Sequence, residues 1–72
     1  MRDVIINTEP VELYKILKFE ALVDSGGAAK AAIEQERVKV NHVVETRKRK
    51  QIVAGDCIEF AGETLNIVLK TV

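Results

Sequence analysis

Tryptophan is absent from this 72-residue chain, and cysteine, proline and histidine occur once each. Cys57 has no internal partner for a disulfide, and with His42 as the only histidine no zinc-type ligand set can be assembled. No metal or cofactor is expected, and the setting is expected to be reducing and cytoplasmic. No apolar run approaches the roughly 20 residues that a membrane helix needs. The opening Met1-Arg2-Asp3 lacks the apolar core of a secretory signal, so no membrane partner is expected either. Aromatic residues are scarce: Tyr14, Phe19 and Phe60 are the full set. None lies among the clustered cations, which disfavours single-strand recognition by base stacking. Net charge is the last thing missing, with eleven basic and eleven acidic side chains.

That zero is uneven. Residues 1–36 carry four basic and seven acidic groups, residues 37–50 six and one, and residues 51–72 one and three. The middle window holds four consecutive cations, Arg47-Lys48-Arg49-Lys50. A neutral chain with one strongly basic stretch implies a localised anion-binding surface, and a nucleic-acid backbone is the leading anion. The length allows one domain, residues 1–72, with a single small core.

Val4-Ile5-Ile6 is a β-branched run, expected to form an edge strand. Thr8-Glu9-Pro10 is expected to start a helix, with Thr8 as cap and Pro10 in the first turn. Leu13, Ile16 and Leu17 then recur at helical spacing as one apolar stripe. Asp24-Ser25-Gly26-Gly27 breaks that helix and starts another, with Ser25 as cap and Ala29, Ala32 and Ile33 facing the core. From Arg37 the period becomes two: Val38 and Val40 point inward, Arg37, Lys39 and Asn41 outward. Asn41-His42 is a turn candidate and Val43-Val44 the return strand. Ile52-Val53, a turn at Ala54-Gly55-Asp56, inward-facing Ile58 and Phe60, a turn at Gly62-Glu63, and alternating Leu65, Ile67 and Leu69 complete the chain. The order of strand, two helices, then three or four strands is that of a small α+β domain.

Catalysis needs converging titratable groups, and few are offered. His42 sits in a turn, Cys57 suits a small apolar role, and no paired carboxylates stand out, so the chain is not expected to be an enzyme. Ser25-Gly26-Gly27 with Lys30 allows two readings. Unobstructed N–H groups at a helix start favour an anion, and Lys30 one turn later could reach it. Equally, this could be a glycine turn with Lys30 paired to Glu34. The cations Arg37, Lys39 and Arg47 to Lys50, on or beside adjacent strands, could form a phosphate-binding patch. The opposing reading is a charged loop that keeps a strand edge soluble. Six cations against one acid favours binding, and without stacking aromatics, backbone recognition of folded RNA fits best.

In order, these pieces resemble a known family. Helix, turn, helix, the Val38-Lys39-Val40-Asn41 hairpin, a basic loop and the Gly55-Asp56 turn look like the RNA-binding domain named after small-subunit ribosomal protein S-four. Its helix–turn–helix plus hairpin is called the alpha-L motif. The resemblance runs from about Val11 to Val68 and is greatest to small free-standing bacterial proteins of the YbcJ type. There a Ser-Gly-Gly-x-Ala-Lys stretch opens the second helix, as Ser25-Gly26-Gly27-Ala28-Ala29-Lys30 does here. Glu45-Thr46-Arg47-Lys48-Arg49-Lys50 also stands where that group's motif stands.

The resemblance implies two short helices packed on a small, mainly antiparallel sheet of three to five strands. It implies an RNA-binding surface made by the second helix's start, with Gly26, Gly27 and Lys30, and by the basic face. Lys30, Arg47, Arg49 and Lys50 are supported most directly, Lys39 and Asn41 next, with Arg37 and Lys48 alongside. Two positions depart from the family's usual glycine: Glu36 before the hairpin strand and His42 after the turn asparagine. The expectation is a monomeric, non-catalytic protein that grips the phosphates of structured RNA, such as ribosomal RNA or tRNA. A module docking an acidic protein, and a helix-turn-helix DNA binder, are the rivals; the second helix carries few base-reading side chains.

Overall fold

Apolar side chains from both helices and from the period-two runs meet in one core in the computed structural model, which describes residues 2–70. Strand β1 spans Arg2–Ile6 and is followed by the two-residue strand β2, Val11–Glu12. Helix α1 covers Leu13–Phe19 and α2 covers Gly26–Glu34. Five short strands follow: β3 Lys39–Val40, β4 Val43–Val44, β5 Gln51–Ile52, β6 Cys57–Phe60 and β7 Glu63–Leu69. One five-stranded sheet runs β1-β7-β6-β3-β4, and β2 pairs with β5 in a separate ribbon. Only β1–β7 is parallel; the other pairs are antiparallel. The expected edge strand is therefore present, as β1, and the α+β architecture of two helices on a mainly antiparallel sheet holds.

The helical stripes land as read. Leu13, Ile16 and Leu17 of α1 meet Ala29, Ala32 and Ile33 of α2, all buried, and the two alanines leave room for close helix approach. Buried Val38, Val40, Ile58, Leu65 and Ile67 supply the sheet side. Every fully packed side chain is apolar, and no polar or charged residue is buried among the described residues. No helix of the described residues is long and apolar enough to cross a membrane.

Both helices end in the same way. The Ala21 N–H donates to the Lys18 carbonyl and the Leu22 N–H to Leu17; the Glu36 N–H donates to Ile33 and the Arg37 N–H to Ala32. These are paired Schellman bonds, which require a left-handed residue just past the helix. Ala21 (φ 57°) and Glu36 (φ 62°) occupy those positions, where glycine is the cheaper residue. In the β3–β4 hairpin, Asn41 (φ 52°) and His42 (φ 69°) are both left-handed, as a two-residue type I′ turn demands.

Two expectations are corrected. Thr8 is not a helix cap and Pro10 is not in a first turn: Val11–Glu12 is extended and pairs with Ile52–Gln51, so α1 starts at Leu13. Its N-cap, Glu12, makes no side-chain capping bond, because distant carbonyls take the first N–H groups instead. The last hairpin turns at Ala61-Gly62, not Gly62-Glu63. Phe60 is paired with Glu63, so the loop is those two residues, at φ 52° and 80°.

Candidate nucleic-acid interface

Four adjacent like charges repel one another, so something must hold Arg47–Lys50 in one shape. The run is a tight turn, closed by the Lys50 N–H donating to the Arg47 carbonyl at 3.2 Å. The Lys50 carbonyl accepts from the Leu13 N–H at 2.9 Å and the Lys48 carbonyl from the Tyr14 N–H at 3.2 Å. The basic turn thereby caps the start of α1, satisfying donors that no local side chain reaches. With the backbone fixed in this way, the side chains of Arg47 and Arg49 remain 71% and 75% exposed.

Carboxylates from three elements face this turn. Glu45 holds Arg47 by two side-chain bonds, at 3.0 and 3.2 Å, and accepts its backbone N–H at 3.0 Å. Those bonds push the Glu45 carboxyl below the usual glutamate range and the Arg47 guanidinium above its ordinary value. Glu34, at the end of α2, pairs with Lys48 at 2.5 Å. Glu12 is shared by Arg49 at 3.4 Å and Lys15 at 3.0 Å, and its hydrogen bond raises the Lys15 pKa. Lys50 makes no ion pair among the described residues. Arg47, Arg49, Lys50 and Gln51 line one shallow depression.

The start of α2 lies against the same corner. The Ser25 hydroxyl accepts from the Ala28 N–H at 3.1 Å, the expected cap. Gly27 is exposed and Gly26 half-buried; a methyl on Gly26 would sit 3.8 Å from the Tyr14 ring. Lys30 is not paired with Glu34, which is engaged by Lys48. Its ammonium lies 4.7 Å from the centroid of the Tyr14 ring instead. The turn, Lys30 and the glycine helix start are thus joined through Tyr14, while the Lys48–Glu34 bridge ties the turn to the other end of α2.

Arg37 and Lys39 are placed elsewhere. They line a depression with Glu36, Glu59, Phe60 and Glu63, where acids outnumber cations. Lys39 stands opposite Val44 on one side and Glu59 on the other. Asn41 works within the framework: its amide donates to Asp56 at 3.1 Å, and its carbonyl oxygen accepts from the Cys57 N–H at 2.9 Å. His42 is 82% exposed, with Nδ1 2.6 Å from Glu59. Cys57 is a free, half-buried thiol. No group of three or more His, Cys, Asp or Glu side chains among the described residues could hold a metal.

Three participants escape sequence reading: Tyr14, Glu34 and Glu12. Tyr14 lies sixteen residues before Lys30, outside any local pattern. Glu34 is four residues after Lys30, and that spacing points to the wrong lysine.

Comparison with known proteins gives relatives along most of the chain. It is 50% identical over 58 residues to the Escherichia coli protein named "Putative RNA-binding protein YbcJ", covering 81% of this chain and 83% of that one. It is 33% identical over 57 residues to the "Probable ribosome maturation protein RlbA" of Bacillus subtilis, covering 79% and 80%. The solution structure of E. coli YbcJ, described as revealing an alfaL motif involved in RNA-binding, superimposes with a TM-score of 0.70 at 45% identity, over 92% of this chain and 85% of that one. The motif order, the fold and these relatives agree with a match of the S4 domain model to residues 4–68, and the chain belongs to the S4 domain family.

Proposed function

We propose that this protein is a non-catalytic RNA-binding module that holds the phosphate backbone of structured RNA, ribosomal RNA or tRNA being the candidates. The carrying observation is the convergence of the Arg47–Lys50 turn with the Ser25–Lys30 helix start. The turn's carbonyls cap α1 while its side chains face solvent. Two relatives whose names or descriptions refer to RNA binding or ribosome maturation support the same reading. In it, Gly26 and Gly27 leave N–H groups open to one phosphate, Lys30 neutralises it, and Arg47, Lys48, Arg49 and Lys50 follow the neighbouring backbone. Asn41 contributes by fixing the hairpin. Arg37, just before β3, and Lys39, at its start, are set among Glu36, Glu59 and Glu63 and form a separate and weaker contact.

A DNA-binding role would place α2 in a major groove, yet Ala28 and Ala31 carry no side-chain hydrogen-bonding group to read base edges. The test is filter binding of an RNA hairpin and a DNA duplex at matched salt. The RNA hairpin should bind more tightly, and equal binding of the duplex would undo the RNA preference. Arg47→Ala with Arg49→Ala should weaken binding and flatten its salt dependence. An unchanged slope would remove both arginines from the phosphate contacts.

A further inference from the structure

One residue belongs to every part of this corner: Tyr14, whose half-buried side chain packs against the edge of the core and turns a ring face to Lys30. The Tyr14 backbone N–H is bound by the Lys48 carbonyl, its ring edge adjoins Gly26, and the Lys30 ammonium stands over its face. A lysine side chain on a helix surface samples many rotamers, and ordering it opposes binding. An aromatic face within about 6 Å attracts an ammonium and narrows that range. Lys15 approaches the same ring at 6.0 Å but is already held by Glu12 at 3.0 Å. Lys30 has no carboxylate partner among the described residues, so the ring is the contact that sets where its charge sits.

We propose that Tyr14 is a positioning residue for Lys30: its ring holds the ammonium between the α2 start and the Arg47–Lys50 turn, ready for a backbone phosphate. This rests on the RNA-binding reading and adds a determinant that the basic residues alone do not supply. The hydroxyl plays no part, since the attraction comes from the ring face. The docking of the basic turn does not depend on the side chain either, because it uses the Tyr14 N–H.

The test combines a double-mutant cycle with a measurement on free protein. Binding of a fluorescein-labelled RNA hairpin is followed by anisotropy for wild type, Tyr14→Leu, Tyr14→Phe, Lys30→Ala and Tyr14→Leu/Lys30→Ala. Leucine keeps the helix and the backbone bond, and thermal melts confirm that each variant is folded. Tyr14→Leu should weaken binding about two- to fivefold, the range that one cation–π contact supplies. Tyr14→Phe should bind as wild type does, and the double variant should bind no more weakly than Lys30→Ala alone. In RNA-free protein, the Lys30 ε-methylene protons should show an upfield ring-current shift that survives Tyr14→Phe and disappears in Tyr14→Leu. Additive losses in the cycle, or a Lys30 signal indifferent to Tyr14→Leu, would overturn the proposal. Wild-type protein that fails to bind the hairpin would overturn the RNA reading itself, a result separate from additivity among variants that bind.

Discussion

Replacing Glu34 with glutamine should make RNA binding tighter and more sensitive to salt. A cation that binds a phosphate releases one condensed counterion from the RNA. A cation that must first leave a carboxylate gains less, because the stranded carboxylate takes up a counterion in turn. The corner around the basic turn holds six cations, Lys15, Lys30, Arg47, Lys48, Arg49 and Lys50, and three carboxylates, Glu12, Glu34 and Glu45, for a net of three. At about 0.9 counterion per net charge, log K should fall with log salt at a slope near −3, against near −5 if all six cations acted freely.

Glu34→Gln removes one of those carboxylates and frees Lys48. The slope should steepen by about 0.9, which at about 0.1 M salt corresponds to an affinity gain of about eightfold. Stability should hardly change. The Lys48 and Glu34 side chains are 45% and 54% exposed, and such exposed pairs contribute about 0–1 kcal/mol. Glu34 is also the last residue of α2, where a negative charge opposes the helix dipole. The assay is anisotropy with a labelled RNA hairpin at salt concentrations from about 50 to about 300 mM, a range wide enough to resolve such slopes. The companion variant Glu34→Gln/Lys48→Gln restores the local net charge and should return the slope to the wild-type value. An unchanged slope in Glu34→Gln, or a double variant that stays steep, would refute the reasoning.

Other expectations concern the framework. Glu36→Gly and Ala21→Gly replace left-handed non-glycine residues at the two helix ends, and each should stabilise by about 1 kcal/mol, raising the melting temperature by about 4–8 °C in a domain this small. His42→Gly relieves the same kind of strain but loses the Glu59 contact, so a thermal melt should show a smaller gain. Asn41→Gly keeps the turn conformation while deleting both side-chain bonds. It should cost about 1–2 kcal/mol by denaturant unfolding, with the RNA salt slope unchanged. Glu45 is held below its ordinary pKa by its bonds to Arg47, so its contribution to stability is fully present above the unfolded value of about 4.3 and is lost as the pH falls through the lower folded value. Carboxyl NMR titration should find Glu45 titrating below the ordinary glutamate range, and Arg47→Gln should shrink that shift while the residue-47 backbone N–H bond and Lys50 keep part of it.

Elements whose signal is local were legible in the sequence. The stripe Leu13, Ile16, Leu17, the Ser25 cap, the alternation of Val38 and Val40 and the Asn41-His42 turn each follow from residues within a few positions of one another. The misread start of α1 had no such signal. Thr8 and Pro10 look like a helix start, but the Leu13 and Tyr14 N–H groups are satisfied by carbonyls more than thirty residues away. The same holds for the site. Sequence identifies the cations, but not that Glu34 would take Lys48 and leave Lys30 to Tyr14. Glu36 and His42 stood out as departures from glycine, and the positive φ values give the reason: the fold asks for a left-handed residue there whichever side chain is present.

The charge anomaly then takes a different meaning. Read along the chain, residues 37–50 form one basic window. In space the fold divides it, sending Arg37 and Lys39 toward Glu36, Glu59 and Glu63, and surrounding Arg47, Lys48 and Arg49 with one carboxylate each. Three fewer net charges at about 0.1 M salt correspond to about 500-fold weaker sequence-independent attraction to a polyanion. A surface moderated in this way should hold nucleic acid less indiscriminately than six unopposed cations would. On the proposed reading it should gain strength only where phosphates are spaced to meet Lys30, Lys50 and the displaced partners of the three glutamates together. A folded RNA of fixed shape should then bind more tightly than a flexible strand in the same anisotropy assay.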